Sequence, residues 1–333
     1  MRKRLLRVVV AAGCLLCGFA TCQAAVVSFG SGANQFNMEF VTIGNPGNAP
    51  EYSYGRVDYE FSMGKFEVSR DMVMKFNASQ SLQITLYDMT TYGGNGLNKP
   101  SVGLTWNEAA RFVNWLNTST GGYAAYRFKT SGVNDNISVW TAAETDDYDP
   151  LNPYRSKRAT YVLPSYNEWH KAAFYDPRSS TYHDYPNGRN TPPVHVASGT
   201  EDNTAVFAFN RPNPADVTQA GGLSPYGIMG LGGNAYEWTE TSDNFRNAAG
   251  ASKRWFRGGD SSSQSGALKR KGSLWHQGTR APSQGDNIII GFRVASLSSS
   301  GSGGTGGEVP EPTSMAIFGL GALGLAYRTR RRS

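Results

Sequence analysis

Apolar residues recur at helical spacing in two stretches of this chain. In PSVGLTWNEAARFVNWLN, the residues Trp106, Ala109, Ala110, Val113 and Leu116 fall on one face of a helix. Thr105 and Glu108 open it as a Thr-x-x-Glu capping box, in which each side chain satisfies a free backbone N–H at the helix start. In LPSYNEWHKAAFYDP, Ser165 and Glu168 repeat the device, Trp169, Ala172 and Ala173 supply the apolar face, and Pro177 is expected to stop the helix. A third helix is read after Ser69 in EVSRDMVMKFN. Partial alternation predicts strands at Phe36–Ile43 and Tyr59–Val68, with another near Ile288–Ala295. The rest is rich in glycine and aromatic residues, without a repeat of fixed period. These elements predict an α+β fold, loop-rich, with short strands and a few helices.

The two ends follow different patterns. Arg2, Lys3, Arg4 and Arg7 precede an apolar run from Val8 to Ala20, and Cys22-Gln23-Ala24 offers small residues where a signal peptidase reads. Residues 1–24 therefore read as a secretory leader. At the other end, LSSSGSGGTGGEVP is a flexible tether. It leads to Val309-Pro310-Glu311-Pro312, an apolar stretch from Met315 to Tyr327, and the basic cluster Arg328, Arg330, Arg331 and Arg332. The apolar stretch is shorter than the roughly 20 residues that span a bilayer, and its basic flank is expected to stay cytoplasmic. This tail is similar to the PEP-CTERM sorting tail, which implies an exosortase-type partner, transient inner-membrane anchoring, and an exported product at the cell surface or outside it. The expected organisation is a leader at 1–24, a domain at 25–297, a Gly/Ser linker at 298–309 and a sorting tail at 310–333.

These ends change the meaning of charge and cysteine content. The chain holds 32 basic and 26 acidic residues, a net charge of +6. Four basic residues lie in the leader, and four with one acidic residue lie from Pro310 onward, so the remainder carries 24 basic against 25 acidic. The basic balance describes targeting and predicts no nucleic-acid partner. All three cysteines, Cys14, Cys17 and Cys22, lie in the leader. The processed protein has no thiol and no disulfide.

Six blocks follow in order: FSMGKFEVSRDMVMKF, VGLTWNEAARFVNWLN, YVLPSYNEWHKAAF, SPYGIMGLGGNAYEWTE, WFRGGDSS and IIIGFRVAS. The series resembles the formylglycine-generating enzymes, or sulfatase-modifying factors, over roughly residues 36 to 296. The resemblance implies a C-type-lectin-like fold. It also implies active-site cysteines that bind copper between the Arg-Gly-Gly-Ser and Gly-Phe-Arg blocks. That interval offers Ser261, Ser262, Ser263, Ser273 and His276, with Asp260 where the family often has Ser-Trp, and no sulfur. A hydroxyl is neither a soft Cu(I) ligand nor a redox group, so copper is not expected. Within the interval, His276, Trp275 and Asp260 are the candidate ligand-binding residues.

The resemblance further implies structural calcium. One position matches Glu237 for a carboxylate and Gly233 and Ala235 for carbonyls, while its upstream side-chain ligand falls on Gly230, which has none. A second matches Asn203 and the carbonyl of Thr204. Arg257 and Arg293 are read as loop ties to carboxylates, with Glu168 and Glu237 as acceptors. His170 reads as a surface or loop-packing residue, His183 and His195 as solvated, and TAAETDDYDP as a solvated acidic loop. No nucleophile elbow or P-loop occurs.

Besides a structural filler of the exopolysaccharide, two functions follow. One is a non-catalytic surface or matrix binding module for a carbohydrate, exopolysaccharide or protein ligand, with aromatic loops such as TTYGGNG and FYDPRSSTYHDYP stacking on sugars. The other is an active formylglycine-generating-type oxidase, or another metal-dependent enzyme, acting on exported sulfatases.

Overall fold

The computed structural model describes residues 24–129, 137–245, 247, 253–270, 278–284 and 289–297. The leader up to Gln23, the linker, the sorting tail, Trp275 and His276 lie outside the described residues. So does Ser273. Among the described residues no helix is long and apolar enough to cross a membrane.

Strands β1 (Ala25–Phe29), β2 (Phe36–Ile43), β3 (Phe61–Gly64), β4 (Tyr161–Val162) and β9 (Ala295–Leu297) build one antiparallel sheet in the order β1-β2-β3-β9-β4. The period-two pattern of β2 sends Phe36, Met38 and Phe40 inward. A second sheet holds β5 (Tyr236–Ser242), β6 (Arg254–Arg257), β7 (Gly278–Arg280) and β8 (Ile290–Gly291) in the order β7-β6-β5-β8. Its only parallel pair is β5 with β8, and β5 is irregular between Trp238 and Ser242 where it faces β6.

Helices α1 (Arg70–Ser79), α2 (Trp106–Ser119) and α3 (Tyr166–Phe174) pack on this frame. Ser69 caps α1 by accepting from the Met72 N–H. Both expected capping boxes form, at Thr105/Glu108 and at Ser165/Glu168. The apolar face of α2 inserts into the core, where Phe112 meets Phe292 edge-on with ring centroids 5.4 Å apart. Asn117, buried on the same helix, donates to the Tyr161 carbonyl at 2.7 Å and accepts from the N–H groups of Thr160 and Tyr161 at 2.9 Å. That side chain satisfies β4 at the sheet edge, where ladder partners run out.

Some expected boundaries shift. Only Phe61–Gly64 of the expected strand at Tyr59–Val68 is regular. Beyond it the backbone changes partner, and the Gly64 and Val68 N–H groups donate to the Val294 and Phe292 carbonyls. The segment near Ile288–Ala295 divides between the sheets, ending β8 at Gly291 and starting β9 at Ala295. Helix α3 ends at Phe174, before Pro177, because Tyr175–Asp176 pairs at once with Thr181–Tyr182.

A buried polar network ties α3 to β5. Arg155 donates to Glu240 at 2.7 Å and to both oxygens of Glu168 at 3.2 Å. Tyr59 and Tyr126 donate their hydroxyls to Glu168 and Glu240 at 2.5 and 2.7 Å. Both carboxylates are fully buried, and each is saturated by donors.

Candidate functional site

Strand β5 runs through the interior and is buried along its whole length. Its Glu237 accepts through Oε2 from Trp169 Nε1 and Arg293 Nε, each at 2.7 Å, and through Oε1 from Arg293 Nη2. Arg293 also donates to the Gly64 and Met229 carbonyls at 3.0 and 2.9 Å. This is a bidentate ion pair with no exposed atom, stable because the leftover donors find carbonyls. Beside it lies the buried carboxylate of Glu67, whose Oε2 accepts from Asn234 Nδ2 at 2.6 Å. Its Oε1 has no hydrogen-bond partner among the described residues. Burial, then the negative charge of Glu237, push the Glu67 carboxyl up to about 8.

The segment after β6 turns sharply at Gly258 and Gly259, both at positive φ. It is pinned to the loop before β5 by the bonds Gly233 N–H to Gly258 O at 2.8 Å and Ser261 N–H to Asn234 O at 3.0 Å. Asp260 is buried. Its Oδ1 accepts from the Ser262 N–H and hydroxyl at 3.0 Å and from the Ser263 hydroxyl at 2.8 Å. The Ser261 hydroxyl accepts from the Asn213 N–H at 2.8 Å. The polar atoms of Asp260–Ser263 thus face one another and the scaffold, so Asp260 organises a turn here.

Behind this turn, Arg257 is buried and is held by ring faces rather than by a carboxylate. Its guanidinium carbon lies 4.4 Å from the Tyr166 ring centroid and 5.0 Å from that of Trp169. Glu168, the expected acceptor, pairs with Arg155 instead. His170 is also buried, so of its two readings the surface one is corrected and the loop-packing one holds. Its Nδ1 accepts from Arg257 Nη1 at 3.3 Å, and its Nε2 lies 3.4 Å from Glu51 Oε2. The Nε2–H tautomer satisfies both contacts. Burial pushes the ring down to about 4. Glu51 in turn takes Arg270 at 2.7 Å.

Next to Arg257 four rings form an aromatic cluster, with Tyr166 buried, Tyr54 and Trp255 half-buried and Phe245 exposed. Tyr54, Tyr166, Phe245 and Trp255 lie with neighbouring centroids 5.1–6.0 Å apart. Phe245 is 42% exposed, and nearby in sequence Tyr52 is 73% exposed. Trp255 stands on β6, one residue before Phe256-Arg257, and pairs in register with Thr279 of β7. The cluster therefore borders the interval between the Arg-Gly-Gly and Gly-Phe-Arg blocks. The aromatic loops named from sequence behave differently. Tyr175 and Tyr185 are core residues and Tyr182 is half-buried. The acidic loop is also part of the frame in one place, since Asp147 is buried against Arg158. His195 is exposed, edge-on to Phe207 and Phe209, and His183 is half-buried 3.5 Å from Asp176.

Residues 20–297 match the profile of the sulfatase-modifying factor enzyme 1-like domain. The chain belongs to this family. Residues 308–332 match the PEP-CTERM protein-sorting motif, which marks an exported protein handled by an exosortase. CarF is similar in structure, at 18% identity over 78% of this chain and 98% of that one, with a TM-score of 0.54. Treponema denticola variable protein 1 shares 17% identity over 83% and 99%, at a TM-score of 0.47. PvdO from Pseudomonas aeruginosa shares 15% over 81% and 97%, at 0.48. The CarF likeness bears on the fold alone. No curated protein sequence matches the chain.

Within this sulfatase-modifying factor domain, oxygens at the calcium positions implied by the family are in part engaged by the chain itself. At the first, both oxygens of Glu237 are taken by Arg293 and Trp169. A Cβ on Gly230 would lie 3.2 Å from the Glu67 carboxyl, so a second buried carboxylate stands beside the position that lacks its upstream side-chain ligand. At the second, Asn203 Oδ1 accepts from Asn187 Nδ2 at 2.6 Å, and the Thr204 carbonyl accepts from the Gly222 N–H at 3.0 Å. Among the described residues no three His, Cys, Asp or Glu side chains group to hold a metal.

Sequence reasoning named Glu237, Arg293 and Asp260 but missed Arg155 and the aromatic face. Arg155 sits in an irregular loop without a motif. Tyr54, Phe245 and Trp255 come from three separated segments whose meeting no local pattern encodes.

Proposed function

We propose that this exported sulfatase-modifying factor domain is a non-catalytic binding module of the cell surface or extracellular matrix, engaging a saccharide through the aromatic face of Tyr54, Phe245 and Trp255. The observation that carries this reading is the absence of cysteine after Cys22, so that the processed chain has no thiol. The interval that would house the reactive thiols holds serines, and Ser261–Ser263 spend their polar atoms on a closed turn. Thiol-based oxidation has no group to run through there. What the site offers outward is ring surface. Flat, weakly hydrated aromatic faces on a rigid frame suit the C–H faces of sugars.

The test is binding of the processed protein to a panel of neutral and acidic polysaccharides by calorimetry. Saturable binding that Phe245→Ala and Trp255→Ala each weaken at least about tenfold, roughly 1.4 kcal/mol, is expected. Binding untouched by either change, or none on the panel, contradicts the saccharide reading.

A further inference from the structure

We infer that the saccharide bound at the aromatic cluster is an anionic polysaccharide, recognised through the basic interval from Lys253 to Arg280; the inference rests on the saccharide reading above. Charge is unevenly placed between the leader and the sorting tail. The 28 residues of this interval hold seven of the 24 basic residues there and one of the 25 acidic ones, Asp260. The rest carries 17 basic against 24 acidic. A polyanion is therefore repelled by most of the domain and drawn to one segment of it. The near-neutral sum over the whole domain hides this segregation.

The basic interval meets the aromatic cluster on two sides. Trp255 itself belongs to it. Lys253 stands two residues earlier, on the same side of the chain by the alternation of an extended strand. Its carbonyl accepts from the Asp243 N–H at 3.1 Å, which continues the β5–β6 hairpin. Its side chain is exposed and makes no ion pair among the described residues. On the other side, Arg270 donates to Glu51 at 2.7 Å, and Glu51 is joined to Tyr54 of the cluster by two backbone bonds of 2.9 Å. Lys269, next to it, is 41% exposed and lies 3.5 Å from Asp184. The opposing carboxylates are Glu51 and Asp184, both taken by Arg270, and Asp243 across the hairpin. Arg257 belongs to the Arg-Gly-Gly block and is buried, so Lys253 is the cation a polymer can touch. Rings flanked by cations also suit single-stranded nucleic acid. The sorting motif, which marks an exported protein, favours the polysaccharide.

The experiment titrates the processed protein calorimetrically with three forms of one glucan backbone, namely dextran, carboxymethyl-dextran and dextran sulfate, and with oligothymidylate. Both anionic dextrans should bind at least about tenfold more tightly than dextran, and should lose that margin as salt rises from about 0.05 to about 0.5 M. Lys253→Glu should weaken both anionic dextrans about threefold or more. Lys157→Glu makes the same charge change at an exposed site outside the interval and should leave them nearly unchanged. Dextran bound as tightly as its anionic forms overturns the inference and leaves the saccharide reading standing. Anionic binding that Lys253→Glu weakens no more than Lys157→Glu does the same. Oligothymidylate bound more tightly than either anionic dextran assigns the cluster to nucleic acid and overturns both. Failure of both anionic dextrans to bind overturns the inference.

Discussion

His170 is the side chain whose burial should be read most directly in solution. Its ring resists protonation down to about pH 4, against 6.5 for an exposed histidine. Between those values the unfolded chain binds a proton that the folded chain does not. Stability from this group is therefore full above pH 6.5 and is lost as the pH falls toward 4, by about 3 kcal/mol. Urea unfolding at about pH 7 and about pH 4.5 should show that loss, and His170→Gln should flatten it. Gly233 makes a second local claim. It sits at φ +91°, and a Cβ there would lie 2.2 Å from the Val206 carbonyl oxygen. Strain and collision together predict that Gly233→Ala costs about 2–4 kcal/mol in chemical denaturation. A change within error would mean that the 206–207 segment yields readily.

The helices were legible because their signals are local. Thr105 and Ser165 each precede a glutamate by three residues, and both form capping boxes with the expected partners. Thr105→Ala should lower stability by about 1 kcal/mol, measured by denaturant midpoint. What α3 packs against was not legible. A helix with Glu168, His170 and Lys171 reads as half solvated, yet all three are buried. Their partners, Arg155, Glu51 and the Asn45 carbonyl, come from distant loops. The strand boundaries failed for a related reason. Gly64 and Gly291 mark places where the backbone changes sheet partner, and pairing partners cannot be read from alternation alone. Glu168→Gln tests how far the network matters. Removing one charge from a buried pair while Arg155 stays buried should cost about 3 kcal/mol or more. An unchanged denaturation midpoint would show that Glu240 alone suffices for Arg155.

The molecule as a whole has the domain of its family, with no cysteine between the Arg-Gly-Gly and Gly-Phe-Arg blocks. The Glu237–Arg293 pair, Trp106, Trp169 and Trp238 of α2, α3 and β5, and the glycine turn at Gly258 are all buried in that domain. Trp106, Trp169 and Trp238 each direct the indole N–H to a partner, at Thr239 O, Glu237 and Leu104 O. These residues set the geometry of the frame, which is why the fold was recognisable from six blocks while the candidate site was only half visible. Asp260 was legible as part of the interval, but its inward turn was not. The aromatic face beside it depends on tertiary meeting alone. The most direct measurement incubates the processed protein, after exposure to copper and in the presence of oxygen, with a cysteine-containing sulfatase peptide, and follows aldehyde by mass. The account predicts no conversion above buffer. Turnover of the thiol to an aldehyde by the purified chain would contradict it.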